Sequence, residues 1–108
     1  MIHSGLAGRT AIVTGGSRGI GRAIVERLAA DGMDVTFFYV GNEAAANEVV
    51  AAARAAGLAV TADRVDIRDP AACVDAVERV IERRERVDLL VNNAGVIRDN
   101  LLVALEPD

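Results

Sequence analysis

The sequence predicts an α/β protein built as a doubly wound parallel sheet with helices on both faces. Short β-branched apolar runs alternate with helical periodicities of roughly ten to fifteen residues, in the order β-α-β-α-β-α-β. The first run is apolar on both sides, as in a strand buried in the middle of a parallel sheet. Turn and cap residues fall between the runs where such an alternation needs them. Parallel strands joined through helices require right-handed crossovers, which leaves few topologies to consider.

Thr10–Thr14 (TAIVT) reads as the first strand. Beyond the glycines that follow, Ile20, Ala23, Ile24 and Leu28 fall at helical spacing, and Gly32 ends that helix. Val35–Val40 (VTFFYV) is the second strand. Asn42 caps a helix running through EAAANEVVAAARAA to Gly57. Ala59–Asp66 holds the third strand. Asp69-Pro70 pairs a cap with proline at the first helical position, and the helix carries Val74, Val77 and Ile81 on one stripe. Val87–Asn93 is the fourth strand. In the order 3-2-1-4 the fourth strand forms an open edge, although its apolar side chains suit a central position. The 108 residues therefore read as a fragment, or as one piece of a split molecule.

At 52% hydrophobic residues and two prolines, the chain reads as one small globular domain. A net charge of −4 shows no footprint for nucleic acid. No run approaches the roughly 18 unbroken apolar residues of a membrane helix, and the first ten residues lack a signal-peptide core. The single cysteine, Cys73, fits a reducing compartment. The expectation is a soluble cytoplasmic protein with no nucleic-acid or membrane partner. Cys73 and His3 are read as structural, and no metal site is assigned.

The stretch Thr14–Gly21, TGGSRGIG, follows the first strand and opens a helix. It reads G-x-x-x-G-x-G, not G-x-G-x-x-G, yet the same physical logic applies. Gly15 allows a sharp turn, Gly19 clears space for a diphosphate, and Gly21 permits close packing of helix on strand. Free N–H groups and the helix dipole then face the phosphates. The alternative is a turn that merely needs glycine. With no lysine in the chain, a P-loop is excluded. The second strand ends in Phe38-Tyr39-Val40-Gly41, without the carboxylate that holds an NAD ribose. Arg18 stands in the loop, where a guanidinium suits a 2′-phosphate. This pattern favours NADP over NAD.

TGGSRGIG, then VDIRD, then NNAG at Asn92–Gly95 together resemble the short-chain dehydrogenase/reductase family, over essentially the whole chain and over the family's first half. The continuation NNAGVIRDNLLVALEPD is similar to the branch of 3-oxoacyl-acyl-carrier-protein reductases and acetoacetyl-CoA reductases. The resemblance implies that residues 1–108 are the NADP(H)-binding half of one Rossmann-type domain. It implies that Gly15, Gly16, Ser17, Arg18, Gly19, Ile20 and Gly21 wrap the diphosphate and adenosine ribose. Arg18, with the Tyr39 region beside it, meets the 2′-phosphate. Asp66 accepts from the adenine amino group, with Ile67 next to the ring. Asn92, Ala94 and Gly95 line the ribose side and hold the sheet. Two plainer readings stay open: Asp66 as a strand-end carboxylate capping a turn, and Asn92-Asn93 as turn residues bonding their own backbone.

The family's proton donor resembles a Ser–Tyr–Lys system assisted by Asn, with Tyr and Lys four residues apart. The only tyrosine here is Tyr39 and there is no lysine, so no catalytic residue is assigned. The expected function is the nucleotide-binding half of an NADPH-dependent 3-oxoacyl thioester reductase. Its substrate is carried on acyl-carrier protein or coenzyme A, and the complete enzyme is a homo-tetramer. The alternatives are a short-chain reductase of another ketone or alcohol, a non-catalytic NADP-binding module, and an adenosyl-dependent methyl-transfer domain. The last usually needs an acidic end to the second strand.

Overall fold

The computed structural model describes residues 7–17 and 19–93. Their elements run β1 (Thr10–Thr14), α1 (Gly19–Ala30), β2 (Asp34–Tyr39), α2 (Glu43–Ala55), β3 (Val60–Arg64), α3 (Pro70–Arg84) and β4 (Leu89–Asn92). The four strands form one parallel sheet in the order β3-β2-β1-β4, as the alternation predicts. β1 matches its apolar run, Thr10–Thr14, while β4 starts two residues later than its run and ends one residue earlier. β2 stops at Tyr39 and leaves Val40 exposed, while β3 occupies only the middle of Ala59–Asp66.

Period-two alternation decides which side chains meet which helices. Ala11 and Val13 of β1 join Val35 and Phe37 of β2 under Val25 and Ala29 of α1 and Ala46 and Val49 of α2. Ile12 and Phe38 point the other way, onto Val65 and onto Ala76 and Val80 of α3. β1 is thus buried on both faces, and the sheet is covered by α1 and α2 on one side and α3 on the other. Burying a side chain such as Phe37 or Ile12 is worth roughly 1.5–3 kcal/mol, so these two clusters supply most of the driving force.

The helix ends follow the sequence. Asn42 adopts a left-handed conformation and its side chain accepts from the Ala45 amide. Asp69 accepts from the amides of Ala71 and Ala72, with Pro70 opening α3. Gly32 and Gly57 take positive φ just past α1 and α2. The buried stripes do not follow it. α1 packs through Gly21, Val25 and Ala29, with Ile24 and Leu28 at the flank, whereas Ile20 is 74% exposed and Ala23 is also exposed. α3 packs through Ala76 and Val80, with Val77 half-buried, whereas Val74 and Ile81 are exposed. The small residues mark the line of closest approach to the sheet, and the larger apolar residues predicted for the core sit to either side. Among the described residues no helix is long and apolar enough to cross a membrane.

Ion pairs close the amino-terminal ends of the strands. Arg84 pairs with Asp34, whose side chain is largely buried, and Arg83 donates to the buried Thr36 hydroxyl at 3.0 Å. Asp88, just before β4, accepts from the Thr10 amide at 2.8 Å and from Arg86 Nε at 3.1 Å, and its amide donates to the Thr10 carbonyl. This pair of backbone-linked bonds fastens β4 to β1. The Thr10 N–H foremost, then Arg86 and Arg9, hold the Asp88 carboxyl below its ordinary value. A depressed carboxylate contributes stability above the unfolded pKa, near 4, and loses it as pH falls through the lower folded value. Asp88→Ala is therefore expected to lower the thermal midpoint at pH 7. Its deficit against the parent should shrink below about pH 4, as measured by circular dichroism across pH.

Candidate functional site: the β1–α1 loop and the carboxyl edge of the sheet

All four strands end on the same edge, and the strand ends, loops and α1 start at that edge hold every described residue that the sequence assigned to a ligand. Gly15 turns the chain with φ +69°, and its amide donates to the Phe38 carbonyl at 2.9 Å, fastening the loop to β2. Gly16 is buried facing the core. A Cβ there would stand 2.5 Å from Phe37 Cβ and 2.8 Å from Val25 Cγ2, so packing alone requires glycine. Gly21 lies against the loop it follows, where a Cβ would come 1.9 Å from the Gly15 carbonyl oxygen and 2.6 Å from Asn93 Nδ2.

Gly19 is the opposite case. It opens α1 with φ +63°, and among the described residues nothing lies within 4 Å of where a Cβ would stand. Among the described residues the space beside it is open, next to the first N–H groups of the helix; these have no intrahelical acceptor, and the first turn contains no acidic residue. That combination suits an anion. Ser17 is buried beside the turn and Ile20 projects outward. Arg18 lies outside the described residues, as do Ala94 and Gly95.

Asn92 and Asn93 sit on opposite faces of the sheet at the end of β4. Thr14 joins them: its hydroxyl lies 3.1 Å from Asn92 Oδ1 and accepts from the Asn93 amide at 2.8 Å. Asn92 thus bonds across strands, and its Nδ2 is a buried donor with no partner among the described residues. In the sequence Asn93 is assigned to no ligand and reads only as a turn residue. It stands against Gly21 on the α1 side, which only the approach of β4 to the helix reveals. The unpartnered Asn92 amide, the clear space at Gly19 and the unneutralised helix start fit a polar, anionic group at this edge.

Tyr39 ends β2 half-buried, its ring centroid 6.3 Å from that of Phe37 and packed on the α1–α2 side. Asp66 and Ile67 follow β3 on the same edge, two strands from the glycine loop. Ile67 is buried. The Asp66 carboxylate caps a turn: Oδ1 accepts from the Arg68 amide and from Arg68 Nε, both at 3.0 Å, and Oδ2 accepts from the guanidinium at 3.1 Å. The Arg68 side chain holds the Asp66 carboxyl below the usual range. Burial pushes the Cys73 thiol up, and its Sγ lies 3.5 Å from the Ile67 carbonyl, so it is a packing group and no thiolate. The cleft between α1, α2 and β3 is lined by Val25, Ala29, Val49, Leu58 and Val60, which offer a phosphate no donor.

The two glycines separate packing from ligand space. Gly21→Ala is expected to destabilise by about 2 kcal/mol or more through overpacking, although alanine is the better helix former by about 1 kcal/mol. Gly19→Ala is expected to cost only about 1 kcal/mol, for its left-handed backbone. Urea unfolding of the two variants checks the order; equal costs would remove the close contact at Gly21 as its cause.

The family model described as short chain dehydrogenase matches residues 9–107. The chain is 39% identical over 103 residues to the 3-oxoacyl-acyl-carrier-protein reductase FabG of Chlamydia pneumoniae, covering 95% of this chain and 41% of that protein. It is 40% identical over 101 residues to FabG of Escherichia coli, covering 94% and 40%. The chain thus spans about two fifths of the length of these curated relatives. Among solved structures, a short chain dehydrogenase from Burkholderia cenocepacia in complex with NADP matches with TM-score 0.80 and 50% identity, covering 86% of this chain and 38% of that one. A dehydrogenase/reductase from Sinorhizobium meliloti matches with TM-score 0.80 and 46% identity, covering 84% and 36%. The sheet order and these matches over nearly the whole length agree: the chain belongs to the short chain dehydrogenase family.

Proposed function

We propose that this chain forms the nucleotide-binding part of an NADPH-dependent reductase of 3-oxoacyl thioesters. The observation that carries the reading is the β1–α1 junction, where open space at Gly19 meets a helix start with no acid in its first turn. Gly15, Gly16, Ser17, Gly19, Ile20 and Gly21 would hold the diphosphate and adenosine ribose largely through backbone amides. β2 ends at Tyr39 and is followed by Val40-Gly41, with no carboxylate to meet a ribose 2′-hydroxyl or repel a 2′-phosphate. Arg18 would pair with that phosphate beside Tyr39. Asp66 and Ile67 would take the adenine, and Asn92, Ala94 and Gly95 the nicotinamide ribose side. The complex of the Burkholderia cenocepacia relative with NADP supports the choice of cofactor. The names of the FabG relatives support a 3-oxoacyl thioester on acyl-carrier protein; coenzyme A as the other carrier and a cytoplasmic homo-tetramer are the accompanying proposals.

When bound, the dinucleotide supplies the hydride; this chain's residues bind and orient it. They hold no assigned proton donor. Tyr39 is engaged in the core beside Phe37, and the sequence contains no lysine to tune a phenol. Arg18→Ala is expected to weaken NADPH binding by about 1.5–3 kcal/mol, the worth of a charged hydrogen bond, and to leave NADH binding nearly unchanged. Titration of both cofactors against parent and variant checks this. Equal losses for the two would contradict a 2′-phosphate role for Arg18.

A further inference from the structure

Asp66 is the one described carboxylate assigned to the adenine, and the structure shows it already engaged. Oδ1 accepts twice from Arg68, through the amide and Nε, and Oδ2 accepts once from the guanidinium. An ionised carboxylate offers about four acceptor directions, so one remains, on Oδ2. The side chain is 41% exposed, which leaves that direction within reach of a ligand. The turn that carries the pair is held at both ends. Ile67 is buried, the Asp69 amide donates to the Asp66 carbonyl at 3.0 Å, and Asp69 goes on to cap α3. Exposed ion pairs contribute little to stability, so this fork would act chiefly on the orientation of the carboxylate.

We propose that Arg68 is a positioning residue that leaves Asp66 one oriented acceptor, so that the site takes a 6-aminopurine dinucleotide and rejects its 6-oxopurine counterpart. The inference rests on the cofactor reading above. A carboxylate kept ionised has no proton to give, so it pairs with an exocyclic amino group and opposes a carbonyl oxygen, acceptor against acceptor. The fork needs two parallel N–H donors in one plane, which arginine provides and lysine does not.

The test measures binding of NADPH and of its hypoxanthine analogue to the full-length protein by calorimetry. The parent is expected to prefer NADPH by about tenfold or more. Arg68→Ala should reduce that preference about three- to tenfold, chiefly by weakening NADPH, with the analogue little changed. Arg68→Lys should behave like Arg68→Ala. In an Asp66→Asn background, Arg68→Ala should have no further effect on the preference. An unchanged preference in Arg68→Ala, with NADPH still bound, would overturn the positioning role and leave the cofactor reading standing. Tighter NADPH binding in Arg68→Ala would overturn it too, marking Arg68 as a competitor for the carboxylate. If the parent binds neither dinucleotide, the cofactor reading fails and this inference fails with it.

Discussion

The close approach of α1 to the end of β1 is the contact on which the rest depends. At Gly21 the helix lies so near the Gly15 carbonyl that no side chain fits between them. That contact aims the helix start at the carboxyl edge of the sheet and brings Asn93 of the neighbouring strand against the same glycine. It also sets Val25 and Ala29, one and two turns further on, against β1 and β2. Lengthening the side chain at Gly21 would disturb the core and the candidate site together, because one packing distance serves both.

The two edges of the sheet divide the work. At the amino edge, Asp34 and Asp88 are held by Arg84, Arg86 and backbone amides, and Arg83 reaches Thr36. These groups are largely satisfied within the chain. At the carboxyl edge stand the open face of Gly19, the unpartnered amide of Asn92 and the single remaining acceptor of Asp66. Unfulfilled polar capacity is concentrated where parallel α/β sheets bind their ligands. The exposed side chains of β4, Leu89 and Leu90, are apolar.

Much of this is legible in the sequence. Alternating periods of two and 3.6 located every element, and Gly32, Gly57, Asn42 and Asp69-Pro70 marked helix ends that the structure reproduces. The helix faces were misread for a physical reason. α1 and α3 each have a wide apolar face in which large and small residues lie side by side, and the residues nearest the sheet are not the largest ones. Ala29 and Ala76 are buried while Ile20 and Val74 are exposed. Asn92 and Asn93 carry the same chemistry in the sequence, and strand parity, fixed only by register with β1, puts them on opposite faces. The hold of Arg68 on Asp66 spans two residues, but its geometry depends on a turn that composition does not reveal.

The central claim is that the carboxyl edge around the glycine loop is a dinucleotide site and not simply a tight turn. Nitrogen-15 amide spectra recorded during titration with NADP address it most directly. The account predicts that the amides of Gly15, Ser17, Gly19 and Ile20, and then those of Asp66 and Arg68, shift together along one saturable curve. Asp34 and Asp88, at the amino edge, should stay unmoved. Saturable shifts confined to the apolar cleft of Val25, Val49 and Leu58, or no saturable shifts in the loop, would contradict it.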